Sequence, residues 1–332
     1  MPGANRTRNL QLRRLLLYPI ELRAQEIFFG RKIQKQAFEG KVVSVLRLYR
    51  DCFSSANHFN CYQMIDASKN NCSTLLFTIA YIFILNSTQM LFSQDNSAAF
   101  QNYIMVKGAI IRMDTTKREL PLVFTAHDFA EGGEIVRAAL KKHHAHASFF
   151  FTGDFYRNPR FKIFIEELHR DGHYLGGHSD KHLLYAPWEN QDSLLISKEE
   201  FLDDIAANYS AMKSFGITKS DAPYFLPPYE WYNDSIAAWS KEFGLTLIDF
   251  TPGTYSNADY TTPDMGTRYL SSDTIFNRIL AYEQRDPHGL NGFILLTHIG
   301  TDAARTDKFY NKFDALLTEL EKRGYKFTPL GN

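Results

Sequence analysis

Cysteine is scarce in this chain and ends early: of 332 residues only Cys52, Cys61 and Cys72 carry a thiol. Everything after them is therefore barred from an intrachain disulfide, a thiolate ligand or a thiol nucleophile. A G-x-S-x-G turn is also missing, which disfavours serine-based acyl-enzyme chemistry. No apolar run is long enough to span a bilayer. The strongest, Leu75–Leu85 (LLFTIAYIFIL), has eleven residues; that is roughly 16 Å as a helix, against a hydrocarbon core of ~30 Å. Net charge is zero, yet unevenly spread: residues 1–50 hold 11 Lys/Arg against 3 Asp/Glu, and residues 51–332 hold 26 against 34. The mildly acidic body argues against a nucleic-acid partner.

The basic, Leu-rich residues 1–63 are unlike the rest of the chain. With Lys69 before it and polar residues after it, Leu75–Leu85 reads as the core of a signal peptide; a buried strand or a membrane anchor are the alternatives. A signal peptide belongs at the very start of a chain, so translation is expected to begin near Met64. That makes 1–63 a mis-assigned or disordered extension, 64–94 the signal peptide and 104–332 the catalytic domain. The mature protein is then secreted or periplasmic, with no stable membrane insertion.

From residue 104 strand-like and helix-like runs alternate, the pattern of an α/β protein with a mainly parallel sheet. Strands are expected at Ile110–Met113, Leu122–Thr125, 146–153, 245–250, 292–300 and 325–330. Helices are expected at 134–143, after the Asn158-Pro159 start, after the Ser197/Glu200 capping box, and at 234–243, 272–284 and 307–323. The aromatic content of 14% supplies ample core.

Chemistry gathers around GHYLGGHSDKH, residues 172–182, where His178 and His182 stand four apart. In a helical turn that spacing puts two imidazoles on one face, within reach of one ion. Upstream, the strand in PLVFTAHDF ends in His127-Asp128 and offers a carboxylate at its tip. Two His and one Asp form an open three-ligand site of catalytic type, for which zinc is the first choice. His127, Asp128, His178, Leu226–Tyr229 and His298 all fall at the C-terminal ends of strands, where α/β folds place their chemistry.

In this order, HASFFFTG, GHYLGGHSDKH, LPPY and LLTHIG resemble the polysaccharide deacetylases of carbohydrate esterase family 4, the NodB-like fold, over about residues 108–330. The resemblance implies a distorted (β/α) barrel and metal-dependent removal of acetyl groups from an acetylated poly- or oligosaccharide. It makes Asp128, His178 and His182 the metal ligands, His298 the general acid and the Tyr229 N–H a donor to the developing oxyanion. Two positions depart from the family pattern. Its T-F-D-D is here Thr125-Ala126-His127-Asp128, so His127 stands where a carboxylate base is usual. The Arg that orients that base is Leu226. The changes are coherent, because an Arg placed to hold a carboxylate would repel an imidazolium.

His127 is accordingly the expected base; Glu230 and Glu131 are alternatives, and His127 as a fourth ligand is another. Asp249, Asp259 or Asp264 would each serve to orient His298. His143, His144 and His146 read as a solvated turn. Trp188, Trp231 and Tyr232 suit either sugar stacking or packing. Two other functions stay open: a carbohydrate-binding protein without catalysis on the same scaffold, and a metal-dependent amidase acting on a non-sugar substrate.

Overall fold

The computed structural model describes residues 102–331. The amino-terminal extension, the segment read as a signal peptide and all three cysteines lie outside the described residues. Among those described, no helix is long and apolar enough to cross a membrane.

Strands β1 (Ile104–Val106) and β2 (Ala109–Arg112) form an antiparallel hairpin. Its turn is Lys107-Gly108, both at positive φ, the twist that suits a two-residue hairpin loop. The chain then runs β3 (Glu119–Ala126), α1 (Gly133–Lys142), β4 (Ser148–Phe151), the short α2 (Gly153–Arg157), α3 (Lys162–Arg170), β5 (Tyr174–Gly177) and α4 (Lys198–Lys213). It continues through β6 (Tyr224–Phe225), α5 (Asp234–Glu242), β7 (Thr246–Leu247), α6 (Ser272–Arg285), β8 (Leu295–His298), α7 (Phe313–Lys322) and β9 (Lys326–Thr328).

The main sheet runs β7-β6-β5-β4-β3-β8, with β9 paired to the start of β3, and every pair is parallel. Its two ends curl towards each other across β2. On one side Ile110 bridges Ile248, and the Asp249 N–H donates to the Ile110 carbonyl at 2.9 Å. On the other, Arg112 bridges Phe293, while Thr251 and Ile294 exchange hydrogen bonds. The parallel sheet is the one the alternation of elements pointed to, and its curl makes the distorted (β/α) barrel that the family resemblance implied.

β4 reads Ser-Phe-Phe-Phe and is buried at every position, as a parallel strand covered on both faces must be. Phe149 stacks on Phe124 at 5.0 Å and Phe151 on Phe155 at 4.3 Å. Local signals mostly set the helix ends. Asn158 caps a 3₁₀ turn over Pro159–Phe161 that runs into α3, and Ser197 with Glu200 forms the capping box of α4.

Several expected elements come out shorter. The strand at 245–250 pairs only through Thr246 and Leu247, because the chain beyond turns off to meet β2. The last helix begins at Phe313, after a 3₁₀ turn over Phe309–Lys312. The expected solvated turn at 143–146 holds for His144 and His146, which are exposed, but not for His143. The His143 side chain is only 5% exposed and lies between Asp314 and Glu321 of α7, with nitrogen–oxygen distances of 2.9 and 2.7 Å. A charged partner across the helix pair, unseen in the local sequence, draws it in.

Candidate active site

β3 ends at Ala126 and hands over directly to His127 and Asp128. Nε2 of His127 is 3.8 Å from Oδ2 of Asp128, and Nδ1 is 3.0 Å from Oγ1 of Thr152. Thr152 sits just past β4, where its hydroxyl also accepts the Phe155 N–H and caps α2. The end of one strand thus holds the ring delivered by its neighbour.

β5 ends in Gly176-Gly177, and both positions need glycine. A Cβ at 176 would lie 2.5 Å from the Phe150 ring, and one at 177 would lie 2.6 Å from the Asn208 side-chain oxygen. The following segment is a loop rather than the expected helical turn. Ser179 and His182 take left-handed conformations, φ +70° and +57°, which L-residues other than Gly seldom adopt.

The imidazoles still converge. The His178 and His182 ring centroids are 5.0 Å apart at 64°, and His182 is 5.1 Å from His127. Nδ1 of His178 donates to the Leu226 carbonyl at 2.8 Å, so Nε2 is the ring nitrogen that could ligate an ion. Two imidazoles on one tetrahedral ion at ordinary zinc–nitrogen distances have centroids about 5 Å apart, so this pair fits a divalent ion. Asp128, with its side chain 43% exposed, adds a carboxylate beside His127, whose ring faces His182. Among the described residues, no three His, Cys, Asp or Glu side chains are drawn as close together as an ion would hold them.

Leu226 is fully buried and serves the site through its backbone oxygen. Next to it the Pro228–Glu230 turn places Tyr229 and Glu230 at φ +62° and +54°. The Tyr229 ring meets His182 edge-to-face at 4.3 Å. Glu230 is buried and lies near Asp249. Burial first, and the Glu230 charge second, push the Asp249 carboxyl well above the usual carboxylate range.

His298 closes β8, beside Thr125 of β3 in the sheet register. Its orienting carboxylate is Asp259, not Asp249 or Asp264: Nδ1 donates to Oδ1 at 2.6 Å, and the His298 backbone N–H donates to Oδ2 at 2.8 Å. Glu131, weighed as a base, is instead committed to structure, accepting the Thr301 N–H at 2.9 Å and the Lys308 ammonium at 2.8 Å. Trp188 and Trp231 pack at 5.6 Å and extend the aromatic wall from Tyr229. Tyr232 is buried and donates to the Val106 carbonyl, a packing role.

Comparison with known proteins sets this geometry in context. The family model described as polysaccharide deacetylase matches residues 116–248. The peptidoglycan-N-acetylglucosamine deacetylase of Bacillus cereus is 25% identical over 192 residues, which are 58% of this chain and 76% of that protein. Among solved structures, a family 4 carbohydrate esterase from Bacillus subtilis superposes with a TM-score of 0.52 at 18% identity, over 71% of this chain and 87% of its own. A pseudoenzyme of the same esterase family from Bacillus anthracis gives 0.50 at 20% identity, over 68% of each chain. At such identities the structural likeness speaks for the barrel.

Proposed function

We propose, from the match of residues 116–248 to the polysaccharide deacetylase family, that the chain is a member of that family and a metal-dependent hydrolase releasing acetate from an N- or O-acetylated carbohydrate. The observation that carries this reading is the His178–His182 pair, 5.0 Å apart with Nδ1 of His178 committed to a backbone carbonyl. The similarity to an enzyme of N-acetylglucosamine in peptidoglycan makes N-acetylated amino sugars the first substrates to test.

Asp128, His178 and His182 would hold the ion. Zinc bound there would polarise the acetyl carbonyl and lower the pKa of its water towards ~7. His127 acts as base: in the tautomer whose Nδ1–H donates to Thr152 Oγ1, Nε2 is the nitrogen that accepts the proton of the attacking water. The Tyr229 N–H donates to the carbonyl oxygen as charge develops on it. His298, its Nδ1 held by Asp259, delivers a proton from Nε2 to the departing nitrogen or oxygen. Glu230 is the second candidate base, buried one residue beyond Tyr229.

His127 and Leu226 together favour one other reading, a protein that binds acetylated glycans without cleaving them. Metal analysis with acetate release from acetylated xylan and N-acetylated oligosaccharides separates the two. The expected outcome is about one zinc per chain and turnover abolished in Asp128→Ala. Tight glycan binding with no acetate released from any substrate would make it a binding protein. Release only from small N-acetyl compounds would make it a non-sugar amidase.

A further inference from the structure

The His178–Lys181 backbone is gripped from two sides. From the α4 side, the Asn208 carboxamide oxygen, at 2.9 Å, shares the His178 N–H with the Phe151 carbonyl of β4, at 3.1 Å, and its own amide donates to that carbonyl at 3.3 Å. One turn earlier, Asp204 Oδ1 accepts the N–H groups of Asp180 and Lys181 at 3.1 and 3.2 Å, while Oδ2 accepts the Tyr185 hydroxyl at 2.9 Å. From the α2 side, the Gly153 and Asp154 N–H groups donate to the carbonyls of Ser179 and Asp180 at 3.0 and 3.1 Å. Arg157 adds a two-pronged contact to the buried Asp180 carboxylate, at 2.6 and 2.9 Å. Asn208 is fully buried, and it reaches His178 only because residue 177 has no side chain.

We propose that Asp204 and Asn208 are positioning residues for the candidate metal centre: from one face of α4 they fix the His178–His182 backbone, left-handed at Ser179 and His182, and so set the site's affinity for a divalent ion. The amides at 180 and 181 fall outside any helix, and Asp204 takes the place of helical hydrogen bonds there, while Asn208 gives the His178 N–H a second acceptor. Without Asp204 the Asp180 and Lys181 N–H groups lose their side-chain acceptor, without Asn208 the His178 N–H keeps only the Phe151 carbonyl, and the strained conformations at 179 and 182 lose part of what imposes them. The affinity part of this inference rests on the functional reading above; the backbone part does not.

The test uses the full chain and two measurements. Zinc affinity is read by competition with a chromophoric chelator, and amide hydrogen exchange across 178–182 is read on chelator-treated protein. Asp204→Ala and Asn208→Leu are expected to weaken zinc binding by about 10–100-fold, the usual effect of removing an outer-shell partner. Exchange should accelerate in the 178–182 segment and stay unchanged in β3 and β4. Asp204→Asn keeps an oxygen acceptor for the two amides and should bind zinc within about threefold of the parent, the rescue expected of a positioning role. If Asp204→Ala fails to fold, Tyr185→Phe, which removes only the hydroxyl from Asp204 Oδ2, should give a smaller acceleration confined to the same segment. Unchanged exchange and affinity in the variants that fold would overturn the proposal. A parent chain that binds no zinc would sink the functional reading, and the exchange measurement would still decide the clamp.

Discussion

In the proposed mechanism an imidazole at 127 with a leucine at 226 changes both the base and what sits beside it, and Thr152, at 3.0 Å from Nδ1, is the group that would orient the ring. His127→Ala should lower kcat/KM by about 10²–10⁴-fold, the usual range for a lost general base, while zinc content stays near one per chain. Loss of the metal would make His127 a ligand, and retained turnover would move the base to Glu230. Residue types and positions made His127, Asp128, His178, His182 and His298 visible as candidates in the bare sequence. Asp259 was one of three equal choices, because 39 residues separate it from His298 and only the folded loop brings them together. Thr152, Asn208 and Asp204 were missed. The threonine follows an apolar strand and the other two lie mid-helix, where polar side chains usually meet water.

Among the connections, the 251–271 loop after β7 carries Asp259 and has few packed apolar residues of its own. Its anchor is Arg305, fully buried, which donates to the Thr261 carbonyl at 2.6 Å and the Leu270 carbonyl at 3.0 Å. One guanidinium thus ties both ends of the stretch that follows Asp259. Arg305→Met should cost about 3 kcal/mol, the scale of losing charge-assisted bonds to buried carbonyls. Urea unfolding measures it, and in the variant that remains folded kcat should fall as Asp259 loosens its hold on His298. A drop in stability without any change in kcat would confine Arg305 to packing. Most helix ends, by contrast, were readable in advance, since capping boxes, Asn-Pro starts and terminal glycines act within a few residues; the start of α7, at Phe313 rather than 307, was not.

At the level of the whole domain, pH and metal should both move stability. His173 is buried beside Phe149 and His146 and accepts the Ala147 N–H on Nδ1. Burial first, and the His146 charge second, lower its pKa from the usual 6.5 to about 4. Between those values the unfolded chain takes up a proton that the folded chain refuses, so stability falls as pH drops through this window. From pH 7 to 5 the loss should be about 2 kcal/mol, read by denaturant unfolding. His173→Gln, which retains an acceptor for Ala147, should flatten that dependence; an equally steep fall in the variant would assign it to other groups. Zinc at a hundredfold excess over its Kd should add about 2.7 kcal/mol, or about 5–10 °C in Tm for a domain of this size. Stripping the metal with a chelator and rescanning checks it.

By itself the sequence determined the class of fold and the kinds of donor atom available. Both rest on short-range facts: alternating apolar periods, local caps, and His or Asp at the ends of strands. Tertiary structure decided which of those groups meet. It turned His178–His182 into a clamped loop rather than a helix, chose Asp259 over its rivals and drew His143 between two carboxylates. Each outcome depends on side chains distant in sequence, whose hydrogen bonds form only once the curled sheet has brought its strand ends together.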